Sequence, residues 1–489
     1  MPNPRHVHLI GICGTAMASL AGLLQLSGWT VTGSDTAVYP PMSDVLAGLG
    51  IPICQPYAES NLMPEPDCII VGNAISRGNI ELEYALDRKI PIHSLAQTIH
   101  GNFLHGRESL VVAGTHGKTT TTSMLAWIYE VAAQSNPEWK PSFLIGGVAE
   151  NFNTSFALHP TKSFILEGDE YDTAFFDKGP KFLHYFPDAL ILTHVEYDHA
   201  DIYADLDAVR TAFERLINLV PRRGRIVAFD GSDNVTHCVA RAFCRVERYG
   251  FAAESHWRIS NFETRGDRSL WCVDREDSRW MDFEMSFVGE HNVLNATAAA
   301  ALAAGQGLPE EAIYKALATF RSVKRRLEIC AEVAGITIID DFAHHPTAIR
   351  ETLRALRARY PGRRLWAVLE PRSNTLRRNV FEKELVESLA IADRVILAAV
   401  YQPVKIPADQ LLHADNVVAS LNVRGLPAAL LADANAIVAQ LSEQLQAGDV
   451  VAILSNGGFG DIYHKLPQKL RQQPDAQSNR QSNRERRES

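Results

Sequence analysis

The chain alternates short apolar runs, rich in β-branched residues, with longer stretches whose apolar positions recur at helical spacing. Runs at residues 7–10, 29–32, 68–71, 110–112, 164–166 and 189–192 are too short for helices and read as buried strands. A further set at 336–339, 366–369, 395–398 and 450–454 follows the same pattern. Between them Met17, Leu20, Ala21 and Leu24, and later Met124, Leu125 and Ile128, each fall on one helical face; residues 289–304 read as an alanine-rich helix and 348–359 as another. Strand and helix in repetition predict an α/β fold with parallel sheets, whose strand ends share one edge. Beyond Leu470 no aliphatic residue is larger than Ala476, so residues 471–489 are expected to form a solvated, disordered tail.

Length divides this outline. A chain of 489 residues exceeds one ordinary core and suggests about three domains. The formal charge of −9 argues against a nucleic-acid binder, so anionic ligands must be met by local positive groups. Seven cysteines, odd in number and without a CxxC pair, point to reduced cytosolic thiols rather than a disulfide framework or zinc site. The N-terminus lacks a basic segment followed by a long apolar core, and the bland run at 296–304 is too short to span a bilayer, so neither export nor a membrane segment is expected.

The stretch 109–129, SLVVAGTHGKTTTTSMLAWIY, reads as strand, phosphate loop and helix. Gly114 and Gly117 would let main-chain N–H groups close on phosphate oxygens, Lys118 would reach the β/γ-phosphates, and the Thr119 hydroxyl would hold Mg²⁺. Val112 stands where the usual first glycine belongs, so the loop is a shortened variant; the plainer alternative is a glycine-rich turn. Two later strands deliver Glu167, in EGDEYD, and His194, Asp198 and His199, in THVEYDHAD, to the same edge. Lys118, Thr119, Glu167 and His199 can therefore converge, although each alone also fits a satisfied polar residue or cap.

At the N-terminus the run 7–10 ends in Gly11-Ile12-Cys13-Gly14, and the next strand leads to Asp35, either a ribose-binding acid or a turn cap. Cys13 and Ala16 break the dinucleotide fingerprint, which disfavours a nicotinamide cofactor but leaves another nucleotide diphosphate open. The loop GNAISRGN at 72–79 is a second candidate ligand loop. The alanine-rich helix opens with His291, Asn292 and Asn295; Asn292 is either an N-cap or a ligand, and Asn295 a candidate base reader. The cationic run at 324–326 precedes a composition shift read as a domain boundary, and the acids and histidines at 340–345 resemble a metal cluster without further ligand spacing.

AGTHGKTTTT, EGDEYD, DHAD, GEHNVLN, KRRLE and DDFAHHPTA resemble, in order, the motifs of the Mur ligase family, the ATP-dependent amide-bond-forming enzymes of peptidoglycan synthesis. The resemblance runs to about Leu470, and GICGTAM, VYPPMSD, GNAISRGN, AFFDKGPKF, LEPRSNT and SNGGFGDI match more finely its members that ligate a peptide. It implies a Rossmann-like UDP-sugar domain at 1–106, a central P-loop ATPase domain at 107–325 and a Rossmann-like C-terminal domain at 326–470. It further implies a cytoplasmic enzyme of peptidoglycan recycling that uses ATP and Mg²⁺. The lactyl carboxylate of UDP-N-acetylmuramate would become an acyl phosphate, then be joined to the amine of L-Ala-γ-D-Glu-meso-diaminopimelate; the family's L-alanine-adding activity is the alternative.

Carried over residue by residue, Gly11, Cys13, Gly14, Thr15, Asp35, Asn73 and Ser76 would meet the UDP-sugar. Gly114, Thr115, His116, Gly117, Lys118, Thr119, Thr120, His291, Asn292, Asn295, Arg326 and Asp341 would meet ATP, with Lys118, His199 and Arg326 catalytic. Thr119 and Glu167 would hold one Mg²⁺ and His199 a second. His345, Arg372, Ser373 and Asn374 would line the amine site, where Ser373 and Leu376 replace arginines suited to a free amino acid's carboxylate. The carbamylated lysine of some relatives has no counterpart; Glu214 lies in that region but fits the solvated face of a helix.

Overall fold

Three sheets, besides a two-stranded hairpin, carry the strands of the computed structural model, which describes residues 5–36, 38, 42–276 and 278–472. Residues 473–489 of the expected tail and residues 39–41 of the VYPPMSD motif lie outside the described residues, and the described chain ends just beyond the helix Ile462–Arg471.

The first sheet has five parallel strands in the spatial order Ile53–Cys54, Thr30–Ser34, His6–Ile10, Cys68–Val71, Ile92–Ser94. The winding reverses between His6–Ile10 and Cys68–Val71, which places the 11–15 and 72–79 loops side by side at a switch point. In the ten-stranded second sheet, Glu108–Ala113 lies between Ala189–Leu192 and Ser163–Gly168, all parallel. Register sets Val112 opposite both Ile191 and Glu167, so the three strands deliver their following loops to one place. The third sheet runs Glu328–Val333, Ile336–Asp341, Val450–Leu454, Leu365–Leu369, Arg394–Ala398, Ala428–Leu431, parallel except for its first strand.

The antiparallel meander Trp257–Arg265, Arg268–Arg275 and Ser278–Met285 was not anticipated from the sequence. Its alternation is real, with Trp271 and Val273 buried, but charged residues on the solvated face dilute the apolar signal.

The helix Lys118–Ala132 packs between the second sheet and the helices Glu290–Gly305 and Glu310–Ala318. Its threonines at 119–122 cost roughly 0.5 kcal/mol each against alanine in a helix. Burial of Met124, Leu125, Ile128 and Tyr129 at 0% exposure contributes about 1.5–3 kcal/mol each and prevails. Buried clusters also cross both junctions. Leu20 of the first unit shares a cluster with Phe164 of the second, and Leu302 of the second shares one with Leu353 of the third. Ser19 Oγ meets Ser155 Oγ at 2.6 Å across the first junction. At the other, Arg325 Nη2 donates to Ser455 O at 2.7 Å, while the preceding Lys324 N stays tied to its own unit through Val148 O at 3.1 Å.

Candidate active site

The loop after Glu108–Ala113 depends on two glycines. Gly114 has φ 134°, and a Cβ there would stand 2.1 Å from Thr193 Oγ1; Gly117 has φ 79°, and a Cβ there would stand 2.5 Å from Asn295 Oδ1. Both are positions where a side chain meets strain and collision together. Thr115 N donates to His194 O at 2.7 Å and Thr193 Oγ1 donates to His116 O at 2.6 Å, clamping the loop to the neighbouring strand end. Thr120 is buried on the first turn of the helix, so its contribution to a ligand would come through its main chain.

Lys118 turns back over this loop, donating from Nζ to Gly114 O at 2.8 Å and to both oxygens of Glu170 at 2.7 and 2.9 Å. Burial opposes its charge, but Glu170 and Asp169 hold its pKa above the usual lysine value. Glu170 also meets His199 Nε2 at 3.1 Å. Burial again opposes the charged form, yet the hydrogen bond and field of Glu170, with Asp198 and Asp169 nearby, raise His199 to about 9. His199 has φ 54°, an uncommon conformation for a non-glycine residue. Asp169, Glu170 and His199 together offer ligand atoms within 4.8 Å of one another. Glu167 stands apart from that trio. Its Oε1 accepts from Thr119 Oγ1 at 2.9 Å and its Oε2 from Gly146 N at 2.7 Å. Burial raises its pKa, with Lys118 and these donors only partly opposing, so this carboxylate is short of positive charge. The four expected residues therefore gather as two half-sites, Thr119 with Glu167 and His199 with Glu170, and Lys118 reaches the second. Glu170 was missed in the sequence; the signal was a second glutamate three residues after Glu167, on the loop facing the lysine.

Asn295 is buried beside Gly117. Asn292 is not an N-cap: Gly289 takes that position, and Asn292 Nδ2 donates to Val288 O at 2.8 Å. His291 Nδ1 is buried without a hydrogen-bond partner among the described residues, and burial lowers its pKa, with Asp341 and Arg326 among its electrostatic neighbours. Asp341 accepts from Leu327 N at 2.8 Å, Ala343 N at 2.9 Å and Thr352 Oγ1 at 3.1 Å, while Arg326 lies 5.2 Å from the centre of the Phe342 ring. The residues at 340–345 do not converge on one another: Asp340 pairs with Arg325 at 3.0 Å, and His345 turns to the second unit, where its ligand atoms lie within 4.8 Å of those of His116 and Glu196.

At the first sheet, Asp35 Oδ2 accepts from Cys13 N at 2.9 Å, so this acid fronts the 11–15 loop, with Gly14 and Thr15 exposed at the start of the helix Thr15–Leu26. Gly72 N donates to Ile10 O at 2.9 Å and joins the second loop to the first. Asn73 Nδ2 donates to Asp172 O at 2.8 Å, while Ser76 is exposed. The loop thus reaches the second unit beside Glu170.

From the third unit, His345 caps the helix Pro346–Arg359, accepting from Thr347 N at 3.3 Å, and its ring lies 4.5 Å from that of His116. Burial, reinforced by the field of His116, lowers His345 to about 4, so it is neutral at pH 7. Glu196 collects His116 Nε2 at 3.2 Å and Thr347 Oγ1 at 2.7 Å across the interface. The acceptor-side residues at 373–376 form a turn rather than opening a helix. Thr375 Oγ1 donates to Asp198 Oδ1 at 2.5 Å and Asn374 Nδ2 to Asp201 Oδ2 at 2.7 Å, bracketing His199. Ser373 lines a cavity with Arg372, but Leu376 does not: at 2% exposure it belongs to the hydrophobic core, because its main chain turns inward where Ser373 Oγ accepts from Leu376 N at 3.0 Å. Glu214 pairs with His237 at 3.1 Å on the solvated face of the helix Leu206–Asn218.

Comparison with known proteins agrees in all three units. The Mur ligase family catalytic domain matches residues 6–104, the Mur ligase middle domain residues 112–303, and the Mur ligase glutamate ligase domain residues 325–457. The UDP-N-acetylmuramate–L-alanyl-γ-D-glutamyl-meso-2,6-diaminoheptandioate ligase of Escherichia coli (strain K12) is 42% identical over 471 residues, 96% of this chain and 99% of that protein. The UDP-N-acetylmuramate–L-alanine ligase of Methylobacillus flagellatus is 33% identical over 469 residues, 94% of this chain and 95% of that protein. The crystal structure of a murein peptide ligase from Psychrobacter arcticus aligns with a TM-score of 0.73 at 34% identity, covering 96% of this chain and 99% of that one. On these grounds the chain belongs to the Mur ligase family.

Proposed function

We propose that the protein joins the lactyl carboxylate of UDP-N-acetylmuramate to the amine of L-Ala-γ-D-Glu-meso-diaminopimelate at the expense of ATP, giving UDP-N-acetylmuramoyl tripeptide, ADP and phosphate. The observation that carries this reading is the 42% identity, over nearly the full length of both chains, to a ligase named for these substrates, against 33% to one named for L-alanine. Boundaries at 1–106, 107–325 and 326–470, cytoplasmic location and a role in peptidoglycan recycling belong to the same proposal.

Lys118 is the cation for the γ-phosphate, and the main-chain N–H groups at the start of the helix Lys118–Ala132 would meet the same oxygens. Glu170 neutralises Lys118; a phosphate would take that place, freeing Glu170 from the lysine. The hard-oxygen pair Thr119 and Glu167, whose buried carboxylate would gain from a cation, and the imidazole of His199 fit Mg²⁺, which when bound supplies charge neutralisation on phosphoryl oxygens. To act as a ligand His199 must release the proton that Glu170 stabilises. Asn295 and His291 are assigned to the adenosine side, Arg326 and Asp341 to the approach from the third unit. Asp35, Asn73 and the 11–15 loop hold the UDP-sugar, and its carboxylate attacks the γ-phosphorus to form the acyl phosphate. The peptide amine, held between His345, Arg372, Ser373 and Asn374, then displaces phosphate.

The test supplies UDP-N-acetylmuramate, ATP and Mg²⁺ with equimolar L-alanine and L-Ala-γ-D-Glu-meso-diaminopimelate and identifies products by mass. The tripeptide product is expected to dominate. Preferential formation of the alanine product would overturn the reading in favour of the alanine-adding activity.

A further inference from the structure

The 371–377 loop walls an open cavity of about 400 Å³ on the third unit, lined also by Tyr401, Lys405 and Asn456. Its charge is one-sided. Arg372, Arg377 and Lys405 line it and, among the described residues, no carboxylate does, in a chain whose formal charge is −9. Arg372 stacks with its guanidinium carbon 4.0 Å from the centre of the Tyr401 ring, and its ion pair with Glu370 spans a loose 3.6 Å. Arg377 is only 8% exposed. Its Nη atoms donate to Tyr401 O at 3.4 Å and Asn374 Oδ1 at 2.5 Å, but its buried Nε has no hydrogen-bond partner among the described residues, nor has Asn456 Oδ1. Among the described residues neither Arg377 nor Lys405 forms an ion pair. Burial, together with the fields of Arg378 and Arg372, lowers the pKa of Arg377 against the opposing field of Asp201, so a further anion beside it would favour its charged form.

The position of the cavity says which anion. It begins at Ser373 and Asn374, and Asn374 with Thr375 grips the two aspartates on either side of His199. A chain whose amine enters the reacting cleft would advance roughly 3.3 Å per residue along this wall, about 10 Å for three residues.

We propose that this cavity is the subsite for the carboxylates an acceptor peptide carries beyond its first residue, with Arg377 and Lys405 as specificity-determining residues. The inference rests on the acceptor assigned above and adds how that acceptor is told from free L-alanine. A planar guanidinium fork at Arg377 and a mobile ammonium at Lys405 suit carboxylates of different distance and orientation. An acceptor ending at its first residue leaves both cations without a partner.

The experiment measures KM for L-Ala-γ-D-Glu-meso-diaminopimelate, and for an analogue in which the carboxylates beyond the first residue are amides, in the full-length wild type, Arg377→Gln and Lys405→Gln. Amidation is expected to raise the wild-type KM tenfold or more. Each substitution is expected to raise KM for the free-acid peptide by about tenfold, to shrink the amidation effect, and to leave KM for ATP unmoved. Lys405 is exposed, so its variant reports on binding even if Arg377→Gln disturbs the loop, and matched thermal melts identify that disturbance. A wild type that ligates the tripeptide but is indifferent to amidation, or variants that keep the full discrimination, would overturn the subsite alone. A wild type that does not ligate the tripeptide overturns both the subsite and the proposed function.

Discussion

The loops at 11–15 and 114–118 are the same local device in different company. Each follows an apolar strand, turns at a glycine of positive φ, 83° at Gly11 and 134° at Gly114, and opens a helix. Around the first, the adjoining strand supplies one acid, Asp35, on the N–H of Cys13. Around the second, adjoining strands supply Glu167, Glu170 and His199, and the helix itself supplies Lys118. A carboxylate in front of a loop suits groups that can donate to it, such as sugar hydroxyls; a lysine in front of a loop suits phosphoryl oxygens. Strand, glycine turn and helix set the place for a ligand, and neighbouring strands set its charge.

The comparison is most exposed at Lys118. Lys118→Ala is expected to slow ligation by about a hundredfold or more, roughly 3 kcal/mol of transition-state stabilisation, measured as phosphate release. Binding of UDP-N-acetylmuramate, followed by calorimetry, should survive, since it uses the other loop; joint loss of both would break the division of labour. Glu170→Gln comes next. It leaves Lys118 buried without its closest counter-charge, so the ligand-free protein should lose about 3 kcal/mol of stability. ATP should restore most of it in a thermal melt, whereas an equal deficit with and without ATP would show that phosphate does not take the carboxylate's place. At the first loop, Asp35→Asn should raise KM for the UDP-sugar by about tenfold, near the 1.5 kcal/mol of a charged hydrogen bond, with KM for ATP unchanged. The smallest effect is at Glu214, whose pair with His237 is solvated: Glu214→Gln should alter stability by less than about 0.5 kcal/mol and leave the Mg²⁺ dependence of the rate as it was. A shifted Mg²⁺ requirement there would mean that this acid serves the metal after all.

Strand ends and the phosphate loop were legible because they are written locally, as apolar runs closed by glycine or acid. Val450–Leu454 and Ala189–Leu192 were read to the residue, and the helix opened at Lys118 as expected. What escaped depends on contacts across long separations. Nothing near Glu170 says that it will meet a lysine 52 residues away, and nothing near Leu376 says that a turn will rotate it into the core while Ser373 stays at the cavity wall. Asn292 looked like a cap because helix starts favour asparagine, but Gly289, at φ 107°, takes the position first. The meander was hidden by its own solvated face, where alternation reads as scattered charge.

The buried clusters that pass through both junctions have a bearing on unfolding. Units with private cores can melt in succession, each leaving the next intact. Here Leu20 and Phe164 on one side, and Leu302 and Leu353 on the other, belong to buried clusters that draw residues from two units each. Losing one unit strips apolar cover from its neighbour, so the three are thermodynamically coupled. An excised C-terminal unit would keep its own cluster around Trp366, Val451 and Ile453 but would expose the apolar surface that Leu353 adds to the shared one, and would be more prone to aggregate than the intact chain.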